Sequence, residues 1–172
     1  MTYTLSKNMV VYTKNAYKFF NTKKKYKSIK CGVIILNKTL DRVILVKNNI
    51  IKNENKWGLP KGHLDNNETY AECARREALE ESGIKVCIKD SQAKIKINNS
   101  FYYPVIIDED HLKNLEPKDK KEICKVSWFD IKKINELNKN RDLKIICSRY
   151  WSRIKYIAKL EKFNNCFSFY CK

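Results

Sequence analysis

The sequence predicts a single α+β domain built of layered sheet and helices. Its 172 residues suit one domain, because domains usually span roughly 100–200 residues. Hydrophobic residues make up 43% of the chain and aromatic residues 12%, which is enough apolar material for a core. The apolar patterns follow the order strands, helix, strands, helix, and this order is typical of an α+β layered fold.

The first part of the chain predicts an arm, a hairpin and a loop. Residues 1–27 are basic and aromatic, and we expect an irregular arm that precedes a domain at 28–172. Residues 28–36 and 42–47 are apolar, β-branched runs around a polar turn, a pattern that predicts two paired strands. Gly and Pro punctuate residues 57–62, which predicts a loop.

The middle of the chain predicts a helix and several strands. Residues 69–82 contain strong helix formers and no Gly or Pro, and Gly83 supplies a stop signal. Pro104 lacks a backbone N–H, so we expect part of its strand to lie at a sheet edge. The predicted strands are 84–88, 94–97, 101–107 and 121–129.

Two helices are predicted at the C-terminal end. Residues 130–137 form a short helix capped by Asp130, and residues 142–163 form a long one. Apolar side chains of the long helix recur every three or four residues, which predicts one buried stripe. The stripe consists of Leu143, Ile146, Tyr150, Ile154, Ile157 and Leu160.

The charge balance is strongly basic. Lys and Arg number 36 against 19 Asp and Glu, a net charge of +17. Such a charge favours nucleic acid or highly phosphorylated ligands, although a genome rich in Lys and Asn codons would also produce it. No apolar run reaches the roughly 20 residues of a membrane helix, and residues 1–26 lack the apolar core of a secretory signal. We therefore expect a cytoplasmic protein without a membrane segment.

Three carboxylates crowd one face of the predicted helix at 69–82. At about 100° per residue, Glu77, Glu80 and Glu81 fall within an arc of roughly 100°. Like charges at this spacing destabilise a helix, and a hard divalent cation would relieve the repulsion. Ligands that offer oxygen alone favour Mg²⁺ or Mn²⁺. The alternative is an ordinary solvated acidic face.

Arg76 lies beside these carboxylates. Glu72 is its i,i+4 partner, and Glu68 at the start of the helix can also reach it, so Arg76 can orient the neighbouring acidic side chains. Small residues on an adjoining face predict close packing of the helix on a sheet. These residues are Ala71, Ala74 and Ala78.

Residues 62–84 resemble the Nudix box, and all nine of its defined positions match. The matching residues are Gly62, Glu68, Arg76, Glu77, Ala78, Glu80, Glu81, Gly83 and Ile84. The resemblance implies the Nudix fold, a mixed β-sheet sandwiched between α-helices. It also implies Mg²⁺- or Mn²⁺-dependent hydrolysis of a nucleoside diphosphate that is linked to another group.

The same resemblance implies roles for individual residues. The implied metal ligands are Lys61, through its backbone carbonyl, and the carboxylates of Glu77, Glu80, Glu81 and Glu122. We expect Glu80 to be the general base, with Glu81 and Glu122 as rivals. We expect Arg76 to support the geometry of the site.

The flanking segments are similar to those of the mRNA-decapping Nudix enzymes. The similarity covers Trp57-Gly-Leu-Pro-Lys-Gly, the stretch at 122–131 and the basic helix that follows. It implies cleavage of the 5′ cap of RNA, with release of 7-methyl-GDP and 5′-monophosphate RNA. The implied substrate-binding residues are Lys61, His63, Arg149, Arg153, Lys155 and Lys159.

Two other interpretations stay open. The Pro-Lys-Gly-His segment is shared with dinucleoside tetraphosphate hydrolases, so dinucleoside polyphosphates or diphosphoinositol polyphosphates are alternative substrates. The second alternative is an inactive Nudix module that binds RNA. The complete set of glutamates argues against it.

With 27 residues assigned to the arm, the chain resembles the compact decapping enzymes of large DNA viruses.

Overall fold

The computed structural model describes residues 2–4, 9–12, 28–49, 55–109, 112 and 115–166, and for residues 2–4, 9–12, 149 and 163–166 it describes the backbone alone. The strands are β1 (Thr2–Thr4), β2 (Met9–Tyr12), β3 (Lys30–Leu36), β4 (Arg42–Asn48), β5 (Trp57–Gly58), β6 (Lys61–His63), β7 (Lys94–Ile97), β8 (Ser100–Ile106) and β9 (Ile123–Asp130). The helices are α1 (Tyr70–Ser82), α2 (Arg141–Arg149) and α3 (Trp151–Cys166), with a 3-10 turn at Ile134–Glu136.

One mixed sheet contains the nine strands of the described residues. Its main path runs β1-β2-β7-β8-β3-β4-β5, with β6 paired to β3 and β9 paired to β4. Strands β3 and β8 run parallel, whereas the other pairs are antiparallel. The predicted pairing of β3 with β4 is confirmed, with Leu36 opposite Val43.

The segment predicted as a loop at 57–62 forms two short strands between β3 and β4. Lys61 of β6 lies opposite Gly32 of β3, and Gly58 of β5 lies opposite Val46 of β4. We call the region between β3 and β4 that β5 and β6 occupy the fork. Because α1 packs against both β3 and β6, the fork lies beside the helix that carries the acidic face.

Helices cover both faces of the sheet. Side chains alternate along β3, so that one set packs with small residues of α1 and the other packs with α2 and α3. The α1 face includes Cys31, Val33, Ile35, Ala71, Ala74 and Ala78. The opposite face includes Ile34, Leu36, Leu143, Ile146, Ile154 and Ile157. The predicted sandwich of a mixed sheet between helices is confirmed.

Local capping fixes both ends of α1. Thr69 and Glu72 form a capping box, in which the Thr69 hydroxyl accepts from the Glu72 N–H at 3.2 Å and the Glu72 carboxylate accepts from the Thr69 N–H at 2.8 Å. Gly83 ends the helix with a φ of 73°, as its stop signal predicts. The predicted pairing of Arg76 with Glu72 is wrong, because the cap occupies the Glu72 carboxylate.

The prediction of a strand at 84–88 is wrong. Ile84, Val86 and Ile88 are buried in alternation, and this pattern suggested a strand. Within the described residues, however, the segment belongs to no strand. It packs in the core beneath α1, where the Arg75 guanidinium donates to the Ile88 carbonyl. The alternation therefore reports burial and not pairing.

The C-terminal helices also differ from the prediction. The short helix expected at 130–137 is the 3-10 turn alone, and Tyr150 separates the expected long helix into α2 and α3. The buried stripe holds as far as Ile157, but Leu160 is exposed and Ala158 is buried in its place. No helix among the described residues has the length and apolar character needed to cross a bilayer.

At the edges of the sheet, the start of the arm differs from its prediction, and the position of Pro104 agrees with its prediction. Strands β1 and β2 extend the sheet beyond β7, so these parts of the arm are regular and not irregular as expected. The rest of the arm lies outside the described residues, and the domain boundary at residue 28 stays a prediction. Pro104 lies beyond the residues of β8 that pair with β7, which agrees with the expected partial edge.

Candidate active site

A cleft of about 320 Å³ opens where the fork meets α1. Strand β6, the acidic face of α1 and the turn before β9 form its walls. The predicted site residues that line it are Lys61, His63, Arg76, Glu77, Glu80, Glu81 and Glu122. The structure therefore brings together predicted site residues from positions 61 to 122 of the chain.

Glu81 is the most deeply held carboxylate of the cleft. Its side chain accepts from the Lys61 backbone N–H at 2.7 Å. Burial, with a smaller contribution from the charges of Glu77 and Glu122, raises the pKa of Glu81 to about 8 against the pull of that hydrogen bond. A positive charge in the cleft would therefore stabilise the ionised form of Glu81.

Glu77 lies against the strand that precedes the helix. It is buried, and this burial raises the pKa of its carboxyl group. A Cβ added to Gly62 would overlap the Glu77 carboxylate, so only a glycine at that position allows the strand and the carboxylate to approach so closely. The first glycine of the motif thus serves a packing need.

Arg76 holds the acidic side chains in place. Its guanidinium donates to both carboxylate oxygens of Glu68, at 2.7 and 3.0 Å. It also donates to Glu77 at 2.7 Å, to Glu80 at 3.1 Å and to the His63 carbonyl at 2.9 Å. The expected support from Glu68 is present, and the five planar donors of Arg suit this branched arrangement.

Glu80 and Glu122 are the more open carboxylates. The Glu80 side chain is 46% exposed, and Glu122 is exposed in the turn before β9. The Glu80 carbonyl accepts from the backbone N–H groups of Lys118 and Asp119, each at 2.9 Å. This pair of bonds joins the end of α1 to the turn that carries Glu122.

The residues present fit a divalent cation by their ligand chemistry. Within the described residues, no three Asp, Glu, His or Cys side chains form a ready-made metal-binding group. Arg76 lies between Glu77 and Glu80, and the Glu81 carboxylate is turned to the Lys61 N–H. All the candidate ligands are nevertheless oxygens, and a cation would compensate the buried negative charge.

Comparison with known families shows which family this chain belongs to. The profile of the NUDIX domain family matches residues 28–148, which is more than half of the chain. This chain belongs to the NUDIX domain family. Nudix enzymes generally use divalent metal ions, in agreement with the ligand chemistry of the cleft. Membership supports hydrolysis of a phosphoanhydride.

Named Nudix relatives add detail. The chain is 25% identical to mRNA decapping complex subunit 2 of Schizosaccharomyces pombe over 142 residues, 76% of this chain and 18% of that one. It is 33% identical to the m7GpppN-mRNA hydrolase of Caenorhabditis elegans over 106 residues, 58% of this chain and 13% of that one. The chain therefore spans less than a fifth of the length of these relatives.

A solved structure shows the same fold. The NUDIX domain of Shewanella oneidensis NrtR, in complex with ADP ribose, has a TM-score of 0.58 to this chain. The two are 13% identical over 80% of this chain and 94% of that one. At this identity the likeness concerns the Nudix fold alone.

Three of the predicted substrate-binding residues whose side chains the structure describes do not line the Nudix cleft. Arg153, Lys155 and Lys159 belong to α3, and none of them is among its lining residues. Lys155 lies near enough to Asp41, in the turn between β3 and β4, to help lower the pKa of that carboxyl group. That turn is at the opposite end of β3 from the fork. The side chain of Arg149 lies outside the described residues.

Lys61 lines the cleft, but its side chain is already paired within the protein. Its ammonium pairs with the buried carboxylate of Asp142 in α2, and substrate binding by Lys61 stays a prediction. Sequence reasoning assigned no role to Asp142 or to Asp119, whose carboxylate accepts from the Glu122 N–H at 3.3 Å. No local spacing signals Asp142, because it acts between distant segments, whereas Asp119 bonds within its own turn.

Proposed function

We propose that this chain is a divalent-metal-dependent Nudix hydrolase that cleaves the 5′ cap of RNA. The observation that carries the proposal is the single cleft that gathers Glu77, Glu80, Glu81 and Glu122. The names of the two relatives, a decapping complex subunit and an m7GpppN-mRNA hydrolase, support the cap as the substrate. The net charge of +17 supports a polyanionic substrate such as RNA.

The acidic side chains would hold Mg²⁺ or Mn²⁺. The proposed ligands are the Lys61 carbonyl and the carboxylates of Glu77, Glu80, Glu81 and Glu122. When bound, the cation would neutralise phosphate charge and lower the pKa of the attacking water. Arg76 would keep the carboxylates oriented through its bonds to Glu68 and Glu77.

Glu80 is our candidate for the general base. Its exposure supports access to water in the cleft. The bond that its carboxylate accepts from Arg76, at 3.1 Å, is also longer than the 2.7 Å bond that the buried Glu81 carboxylate accepts from the Lys61 N–H. Glu80 would accept a proton while the water oxygen forms a bond to the middle phosphorus of the cap's triphosphate bridge. The bond from that phosphorus to the oxygen that joins it to the RNA-side phosphate would break, and this oxygen would leave with the RNA, giving 7-methyl-GDP and RNA with a 5′-monophosphate. Glu122 is the rival for this role.

The test is hydrolysis of RNA that carries a radiolabelled cap. We expect the full chain to release labelled 7-methyl-GDP in Mg²⁺ or Mn²⁺ and none in EDTA. Diadenosine tetraphosphate, a diphosphoinositol polyphosphate and a cap dinucleotide without RNA serve as comparison substrates. Equal or faster turnover of these small molecules would overturn the cap assignment. RNA binding without hydrolysis of any substrate would overturn the enzymatic proposal.

A further inference from the structure

Asp142 is a buried carboxylate that the proposed chemistry does not use. It lies in the first turn of α2, where it accepts from Asn98 Nδ2 at 2.9 Å, Ser100 Oγ at 3.0 Å and Tyr102 Oη at 2.6 Å. Its fourth partner is the Lys61 ammonium. A buried charge without partners is costly, so this set of donors stabilises the ionised form that holds Lys61.

Lys61 connects this buried network to the cleft. Its ammonium bonds Asp142 and lies 5.8 Å from the centre of the Tyr102 ring. Its backbone N–H donates to the Glu81 carboxylate at 2.7 Å. One residue therefore has its side chain in the α2 network and its main chain on a proposed metal ligand.

Backbone hydrogen bonds already attach the start of α2 to the fork at Trp57, four residues before Lys61. The Trp57 N–H donates to the Asn138 carbonyl at 2.8 Å, and the Asn140 N–H donates to the Trp57 carbonyl at 2.9 Å. The Asn140 side chain also caps α2 by accepting from the Leu143 N–H. The ion pair of Asp142 with Lys61 is thus a second link. Its loss would leave the Lys61 backbone held by the pairing of β6 with β3 alone, while β5 stays attached to the start of α2.

We propose that Asp142 is a positioning residue that fixes the Lys61 backbone, and through its N–H the Glu81 carboxylate, by holding the Lys61 ammonium. The catalytic consequence rests on the proposed function, since it requires Glu81 and the Lys61 carbonyl to serve a bound cation. The positioning itself is a property of the metal-free protein.

The experiment compares Asp142→Asn with Tyr102→Phe, in the full chain. Tyr102→Phe removes one donor to Asp142 but keeps the pair with Lys61, so it is the matched control for loss of a buried hydrogen bond. In metal-free protein we expect Asp142→Asn to raise the amide exchange rate of Lys61 about tenfold, and Tyr102→Phe to leave it within about twofold. We expect the dissociation constant for Mn²⁺ to rise roughly 10- to 100-fold in Asp142→Asn alone.

An unchanged Lys61 exchange rate in Asp142→Asn, or equal acceleration in both variants, would overturn the proposal. If Asp142→Asn does not fold, the double variant Asp142→Asn/Lys61→Met removes both charges without leaving one unpaired. We expect the same fast exchange at residue 61 in that variant, and wild-type protection would overturn the proposal. Fast exchange in a chain whose wild type hydrolyses nothing would instead support the positioning and contradict the proposed function.

Discussion

The helices on the two faces of the sheet differ in whether their charged side chains have specific bonding partners. On α1, the charged groups of the cleft are held by specific partners: Arg76 bonds Glu68 and Glu77, and the Glu81 carboxylate accepts the Lys61 N–H. On α3, Lys159 is exposed to solvent. The Nε atom of Arg153 is buried, but it has no hydrogen-bond partner among the residues that the structure describes.

Under the proposed function, this difference separates a site that would need fixed geometry from a surface that would need only charge. Metal-assisted hydrolysis depends on ligands held at defined positions, whereas attraction of an RNA backbone depends mainly on the number of cations and on salt. Substitutions on α1 should therefore have large effects on turnover, and those on α3 should have small effects on affinity.

The largest effect is expected for Glu81→Gln. The amide keeps an oxygen to accept from the Lys61 N–H but removes the charge that would bind the cation, so kcat should fall roughly 10³-fold. RNA affinity should change little. The matched control is Glu116→Gln, an exposed glutamate that pairs with Lys120 outside the cleft lining, and its kcat should equal that of wild type. Wild-type turnover in Glu81→Gln would contradict the metal assignment.

A smaller loss is expected for Arg76→Lys. Lysine keeps the positive charge but cannot bond Glu68 through two parallel donors while it also reaches Glu77 and Glu80. The rate of hydrolysis and the affinity for Mn²⁺ should each fall about 10- to 100-fold. Arg75→Lys, at the adjacent position, removes a guanidinium that bonds the Ile88 carbonyl outside the cleft. Equal losses in the two variants would show that Arg76 has no special role in the site.

A pH effect is expected in the metal-free protein. The pKa of Glu81 is raised to about 8 when folded, so the folded state binds a proton more tightly than the unfolded state. Protonated Glu81 contributes to stability at pH values below the usual glutamate pKa, and this contribution is lost as the pH rises towards 8. In EDTA, wild type should lose on the order of 2 kcal/mol more stability than Glu81→Gln between pH 5 and 8, measured by urea unfolding. Parallel pH profiles would refute this contribution.

The smallest effects are expected on α3. Lys155→Gln and Lys159→Gln should each raise KM for capped RNA about two- to threefold, and each should reduce the salt dependence of binding by about one charge. Hydrolysis of a cap dinucleotide, which has no RNA chain to contact α3, is the internal control and should not change. A large fall in kcat for these variants would remove the distinction between the two faces.

The acidic face could be predicted from sequence because helical spacing is a local property. Glu77, Glu80 and Glu81 share a face of any helix, and Thr69 and Gly83 mark its ends within one residue of those observed. The fold could be predicted as well, because the motif and its flanking strands are typical of one family.

Long-range placement could not be predicted in the same way. Asp142 and Lys61 are 81 residues apart and meet only because the fork brings β6 against the start of α2. The basic pattern of α3 likewise predicts which side chains are charged, but not at which end of the sheet they lie. The break at Tyr150 left no Gly or Pro signal in the sequence.

The most direct test of the central claim is an anomalous diffraction map of crystals soaked in Mn²⁺ with a non-hydrolysable cap analogue. We predict manganese peaks in the cleft, bonded to carboxylate oxygens of Glu77, Glu80 and Glu81. A map with ordered analogue but no manganese at these carboxylates, and with Arg76 still bonded to Glu77 and Glu80, would contradict the claim.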